Sequence, residues 1–448
     1  MSFLFSRTPA LAECAAPEGL ATVLTLDSVD RVDAAGGSAG GPPGRAATHY
    51  LQATPTSEIA FEELFAPDSS FVLYSIEKVA EDAPFLVFLS LSSEARRKMW
   101  LEEAFIDRGI RKLVEVGSQV AVASLKTAES YAENALARFA SGEWQVSFVW
   151  NTGRCGSTLM HKAVSAMGTA SFSEPHWLDQ LQFNGLGEAH LQRAVRVCVG
   201  LEALTARLQT AVPGWERPTN FVFNPKAGGM PLAEATVTAF PLARHAFMYR
   251  CAHKVVDSFT GLTFPDGVPK WMSIAWRFIG LRALALGLTP PLKHEMAELM
   301  PLSELSSIPV VVLTCKWVGT IRGWIGTTAR RAKVLGADDP LASAIVLRMD
   351  EFTSKDLELR AQIVRTALTH FRVVGAGASD ADIALALDVF SVHSQAGSKM
   401  SGPKAKIVTD GDVEVIKRCV VNALGSAGVV QDGGANIALP RSLGIASM

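Results

Sequence analysis

The sequence predicts an α/β protein: a central parallel sheet flanked by helices, preceded by a small N-terminal α+β region. Three observations carry this. After Gly142, apolar runs of strand length alternate with helix-patterned runs, and such βα alternation needs the crossover connections of a parallel sheet. The first of these strands feeds a glycine-flanked loop and then a helix, in VSFVWNTGRCGSTL at 146–159. Ahead of Gly142, strand-like and helical runs are mixed without that order.

Taken along the chain, residues 1–47 read as a flexible lead-in, because AAGGSAGGPPGRAA at 34–47 is Gly/Pro-rich and lacks periodicity. Residues 48–141 form the α+β region, with strand-like SSFVLYSI, PFLVFLSL and VGSQVAVASL and helical SSEARRKMWLEEAFIDRGI and KTAESYAENALARFAS. No motif there indicates a role. The main domain, 142–425, opens with VSFVW and the helix TLMHKAVSAMG, then the strand-like FVFNP, then HAFMYR followed by the helix HKVVDSFTGL. IPVVVLTC and AIVLRMDEF continue the strand-like series, and SKDLELRAQIVRTALTHFRV has helical spacing. Residues 426–448, including QDGGANIALPRSLGIASM, read as a loose tail.

With 448 residues, 48% hydrophobic and 19% charged, the chain is long and apolar enough to bury a large core and is not compositionally disordered. Lysine and arginine total 42 against 44 acidic residues, so the net charge of -2 gives no reason to expect nucleic acid as a general partner. Any anion site is local. The six cysteines are scattered, without the spacing of a zinc site or a disulfide framework, which points to free thiols in a reducing compartment and to no metal. The N-terminus lacks the basic start and long apolar run of a secretory signal. The most apolar stretches, SIAWRFIGLRALALGL and IPVVVLTCKWVGTIRGWIG, are broken by Arg277, Arg282, Lys316 and Arg322. The expectation is a cytoplasmic protein with no membrane span.

The loop after the first strand has the chemistry of an anion site. A strand entering a glycine-flanked turn and then a helix gathers backbone N–H groups and the positive end of a helix dipole around one small volume. Gly153 and Gly156 let the backbone approach, Arg154 supplies charge, and Ser157 and Thr158 add hydroxyl donors where the helix begins. By itself the same pattern also describes a strand-to-helix turn with capping hydroxyls. The nucleoside-triphosphate loop G-x-x-x-x-G-K-[ST] is not met, because no lysine precedes the hydroxyl pair, and a P-loop kinase is disfavoured. Cys155, among donors aimed at an anion, is expected to favour its thiolate and to be sensitive to oxidation.

The loop resembles the 5'-phosphosulfate loop of the sulfotransferases that use 3'-phosphoadenosine 5'-phosphosulfate (PAPS), whose usual form is R-S-G-[ST]-T. Here Arg154, Cys155, Gly156, Ser157 and Thr158 stand in its places, with cysteine for serine. That family also holds the donor's 3'-phosphate by an arginine at a strand end and a serine eight positions on. HAFMYRCAHKVVDSF supplies Arg250 and Ser258 at that spacing, although the family's R-[DN]-P-[KR] has become Arg250-Cys251-Ala252-His253. Softer likenesses are Ser173-Glu174-Pro175, Phe223-Asn224-Pro225-Lys226, the acidic Asp350 and Glu351 in RMDEF, and SVHSQAGSKMSG, which is similar to the loop that closes over the nucleotide and contains Lys399. The resemblance covers roughly residues 144–424.

What the resemblance implies is a P-loop NTPase-like fold and a sulfotransferase that moves a sulfuryl group from PAPS to a hydroxyl or amine on a small-molecule or glycan acceptor. Arg154, Cys155, Gly156, Ser157, Thr158, Arg250, Ser258 and Lys399 would bind the donor. Sulfuryl transfer, like phosphoryl transfer, is served by positioning and by cations, so Arg154 and Lys226 would meet the developing charge. The acceptor proton needs a base. The K-T-H-L-P stretch of cytosolic small-molecule sulfotransferases is replaced here by NPKAGGMP, without histidine. Glu174 matches the glutamate base of tyrosyl-protein and several glycan sulfotransferases, and His176, on the same side if the segment is extended, is the second candidate. The other class of reading is a nucleotide-binding protein that keeps the fold without turnover. A basic run, Lys316, Arg322, Arg330, Arg331 and Lys333, fits either a solvated helix face or an anionic acceptor.

Overall fold

The computed structural model describes residues 11–14, 16–29, 51–101, 114–183, 186–209, 217–228, 230–264, 266–274, 304–373, 379–391 and 406–439. In chain order the elements are β1 (Leu20–Val29), β2 (Leu51–Ala60), β3 (Phe71–Glu77), β4 (Phe85–Ser90), α1 (Ser93–Leu101), β5 (Gln119–Ser124) and α2 (Leu125–Ala140). Then follow β6 (Gln145–Asn151), α3 (Ser157–Ala166), β7 (Ala170–Ser173), α4 (His176–Phe183), α5 (Glu188–Leu208), β8 (Asn220–Asn224), α6 (Met230–Ala239), β9 (Arg244–Tyr249) and α7 (Ala252–Thr263). The remainder comprises α8 (Ile308–Leu335), β10 (Ile345–Arg348), α9 (Met349–Phe352), α10 (Leu357–His370), α11 (Asp380–Asp388), α12 (Asp410–Leu424), β11 (Val430–Gln431) and β12 (Asn436–Ile437).

The protein is α/β, with a five-stranded, all-parallel sheet in the order β10-β9-β6-β8-β7, flanked by helices. A second five-stranded sheet, antiparallel, has the order β2-β1-β5-β4-β3. The chain divides into two units, one of Met1–Phe148, Met160–Arg244 and Phe371–Val389, the other of Val149–Leu159, His245–His370 and Phe390–Met448.

In the first unit the antiparallel sheet is buried along nearly all of β3 and β4, as expected of continuous apolar runs covered on both faces. Phe61, Phe65, Phe88 and Tyr131 form one aromatic cluster on it, with ring centroids 4.8–6.0 Å apart. Helix α2 starts at Ser124, whose hydroxyl accepts from Thr127 N (3.1 Å), and packs on α5. Strand β1 corrects the lead-in expected over 1–47. It pairs with β2 over most of its length and with β5 over Thr22–Thr25, and Ala21, Val23, Leu24 and Leu26 are buried, so burial between two partner strands outweighs the glycine-rich stretch that follows it.

In the second unit β9 and β10 pair in parallel, and α7, α8 and α12 pack together. IPVVVLTC is not a strand but the opening of the 28-residue helix α8, with Pro309 in its first turn. Proline suits that position, and burial of Val310, Val311, Thr314 and Cys315 on one face overrides the β-branched preference. By length and hydropathy α8 is the one helix among the described residues that could cross a membrane, and half of its most apolar window is buried inside the structure.

The segment 426–439 is no loose tail. It turns back as the β11–β12 hairpin, and Tyr249 Oη donates to Ile437 O at 2.9 Å. Gly434 makes the close approach, because it sits at φ 90° and a Cβ there would lie 2.2 Å from Lys417 O. Gly434→Ala is therefore expected to destabilise the fold by roughly 2–4 kcal/mol through backbone strain and overpacking. A lowered denaturation midpoint checks this; an unchanged midpoint would mean that the hairpin does not pack on α12.

Candidate functional site

Two groups of side chains match residues singled out in the sequence, one in each unit. In the second unit the loop leaves β6 at Asn151, whose Oδ1 accepts from Gly153 N (2.8 Å), while Thr152 N donates to Met248 O of β9 (3.1 Å). Gly153 (φ 75°), Arg154 (φ 52°) and Gly156 (φ 86°) all lie in the left-handed region. Arg154 is not glycine, so its backbone stores strain on the order of 1–3 kcal/mol, a feature that concentrates at ligand-binding loops. At Gly156 an added Cβ would meet Met349 Cγ at 3.6 Å and Phe352 Cδ1 at 3.7 Å, ordinary contacts, so glycine is required for the backbone angle and not for room. Ser157 and Thr158 are buried where α3 begins.

Arg154 Nε donates to Ser258 Oγ at 2.8 Å, joining two motifs that stand 104 residues apart in the chain. Ser258 lies on α7, which starts directly after Arg250 and Cys251. Arg250 is fixed through its backbone, its carbonyl accepting from Trp317 Nε1 (2.9 Å), while its Nε is buried and makes no hydrogen bond among the described residues. A buried guanidinium N–H of this kind is costly to leave unmade, and an oxyanion would satisfy it.

The Cys251-Ala252-His253 sequence has its own structural use. Cys251 Sγ approaches Asp350 Oδ2 (3.3 Å) and Asn436 Oδ1 (2.9 Å), and Lys254 Nζ meets Asp350 Oδ1 (3.0 Å). Burial, and then Asp350, push the Cys251 thiol up to about 11. Burial works against ionisation of Asp350, but the hydrogen bonds from Lys254 and Cys251 outweigh it and hold the carboxyl below its ordinary range. Asp350 is thus engaged in holding α7.

Cys155 is corrected. It is fully buried, and desolvation pushes its thiol up to about 11 despite backbone hydrogen bonds from Ser157 and Thr152 that favour the thiolate. The thiolate expected at position 155 is disfavoured because low-dielectric surroundings outweigh the loop's donors.

Asp257 belongs to no motif read from the sequence. Its Oδ1 accepts from both Ile407 N and Val408 N (3.1 Å each), tying the chain to the helix turn that carries Ser258. Lys399 lies outside the described residues, and Lys406 is exposed and paired with Asp410 (2.9 Å). Of the basic run on α8, Arg331 is taken up by a two-pronged ion pair to Asp339, which is 3% exposed, whereas Arg330 and Lys333 are exposed.

In the first unit the neighbouring parallel strands β7 and β8 bring Glu174 and Lys226 together. Parallel neighbours end on the same edge of a sheet, so residues just past their C-termini meet there. Glu174 N donates to Asn224 O (2.9 Å) and its backbone takes φ 52°. Lys226 Nζ lies 3.9 Å from Glu174 Oε2 and 2.7 Å from Asp179 Oδ2. Asp179, 1% exposed, is the stronger partner and is a residue that motif reading missed; the only signal was an acid in the helix that follows Ser173-Glu174-Pro175.

His176 does not fill the place expected of a second base. The segment is not extended, because Glu174 lies in a bend at φ 52° and the helix begins at His176, and His176 is buried with its ring stacked on Tyr74 (centroids 4.7 Å, interplanar angle 15°). Among the described residues no group of three or more His, Cys, Asp and Glu side chains could hold a metal ion. No protein-family model, curated protein or solved structure matches the chain.

Proposed function

We propose that the protein is a sulfotransferase that transfers a sulfuryl group from PAPS to a hydroxyl or amine acceptor, on a P-loop NTPase-like fold. The observation that carries this reading is the hydrogen bond from Arg154 to Ser258, which unites the 5'-phosphosulfate and 3'-phosphate motifs of the resemblance. The left-handed glycine loop and the unsatisfied Arg250 Nε support it, since both suit phosphate oxygens. In this reading backbone N–H groups of 154–158 and the Arg154 guanidinium bind the 5' end, and Arg250 with Ser258 bind the 3'-phosphate. PAPS supplies the sulfuryl group. Lys226 and Glu174, brought together in the first unit, match the second cation and the base that the resemblance implies.

The donor site is tested by thermal shift with adenosine 3',5'-bisphosphate, ATP and AMP. At a bisphosphate concentration about one hundred times its Kd, stabilisation of about 2.7 kcal/mol is expected, selective over AMP and ATP and lost in Arg154→Ala and Arg250→Ala. Equal shifts with all three nucleotides, or tighter ATP, would sink the reading and favour a different P-loop chemistry. The altered sequence after Arg250 favours a second reading, a nucleotide-binding protein without turnover. It predicts the same selective shift with no transfer from PAPS to any acceptor.

A further inference from the structure

Helix α4 is only eight residues long, yet its side chains reach several other elements of the first unit. Trp177 Nε1 donates to Glu202 Oε1 on α5 (3.1 Å), Gln182 Nε2 to Ala227 O (3.3 Å), and Asp179 holds Lys226. Next to Asp179, Gln180 is 1% exposed and bonds strand β3 twice: its Oε1 accepts from Ile76 N (2.9 Å) and its Nε2 donates to Glu77 Oε1 (3.1 Å). Glu77 is itself buried and also accepts from Ser75 Oγ (2.8 Å). Strand β3 is the edge of the antiparallel sheet, so the Ile76 N–H lacks a strand partner and Gln180 supplies one.

We propose that the antiparallel sheet is a positioning element for the Glu174–Lys226 pair, acting through Gln180 as the joint between β3 and α4. The carboxylate that fixes the Lys226 ammonium stands on the adjacent residue of the same short helix. A shift of α4 that breaks the Gln180 bonds also moves Asp179, and Lys226 loses the partner at 2.7 Å that keeps it 3.9 Å from Glu174. Gln180 and Glu77 are positioning residues here, and their catalytic consequence rests on the function proposed above.

The joint is tested on the full chain, without reliance on activity, by pulse acetylation of lysines quantified by mass spectrometry, with exposed Lys126 as the internal standard. Gln180→Met, and Asp179→Asn as a reference, are expected to raise the Lys226 rate relative to Lys126 by about threefold or more. Gln180→Glu alone sets two carboxyls against each other and should do the same. Combined with Glu77→Gln, which restores a donor opposite an acceptor, it should return the rate to the wild-type value. A folded Gln180→Met protein with an unchanged Lys226 rate, while Asp179→Asn raises it, would overturn the proposal. If Gln180→Met does not fold, the exchange pair decides: a double variant no closer to wild type than Gln180→Glu alone also overturns it. Should wild type show no transfer from PAPS, the proposed function fails while the labelling result still stands.

Discussion

Under the proposed function, Glu174→Gln is expected to lower kcat for transfer from PAPS by roughly 10²–10⁴, the usual range for loss of a general base, while the bisphosphate-induced thermal shift is unchanged. Glutamine keeps the shape and cannot accept the acceptor's proton. The position is suited to this use: the Glu174 backbone is held at φ 52° by its bond to Asn224, and its carboxylate is mostly covered, with 16% of the side chain exposed. Because Lys226 is paired first to Asp179 at 2.7 Å, the Glu174 carboxylate is not drawn into the tighter ion pair. A variant with kcat within twofold of wild type would remove Glu174 from the chemistry. Equal loss of the thermal shift and of turnover would mean a structural role.

Glu202→Gln is expected to stabilise the protein at neutral pH, by more at pH 8 than at pH 5. Glu202 is 3% exposed within α5, and burial raises its carboxyl to about 8, only partly offset by the hydrogen bond from Trp177 Nε1. Between about 4.5 and 8 the folded state holds a proton that the unfolded state releases, so stability falls as pH rises through that window. At pH 7 the cost is about 3 kcal/mol by linkage. Glutamine keeps an acceptor for the indole and removes the titration. Denaturant midpoints at pH 5 and pH 8 check this: the variant's gain over the wild type should be larger at pH 8 than at pH 5. An equal pH slope in both proteins would place the titrating group elsewhere.

Much of the second unit's loop geometry was legible in the sequence because it is local. Glycine at 153 and 156 and a strand feeding a helix specify a tight loop through backbone angles alone, and φ values of 75° and 86° are what glycine permits. The arginine and serine at 250 and 258 were likewise legible as a strand end and a helix turn. The same local reasoning failed for IPVVVLTC, since β-branched residues do not tell which faces are buried in a long helix. It failed for β1 as well, because a strand's worth depends on partners more than twenty residues away.

By itself, then, the sequence determined the α/β class, the strand–loop–helix turn at 151–158 and the places of Arg250 at a strand end and Ser258 in the helix that follows. Only the tertiary structure decided that Arg154 meets Ser258, that Lys226 belongs first to Asp179, that His176 is committed to Tyr74 and that the Cys155 thiol is shut away from solvent. The reason is physical. Backbone angles and helix starts are written in neighbouring residues, whereas ion pairing, stacking and desolvation depend on which distant side chains the packed elements bring within a few ångströms.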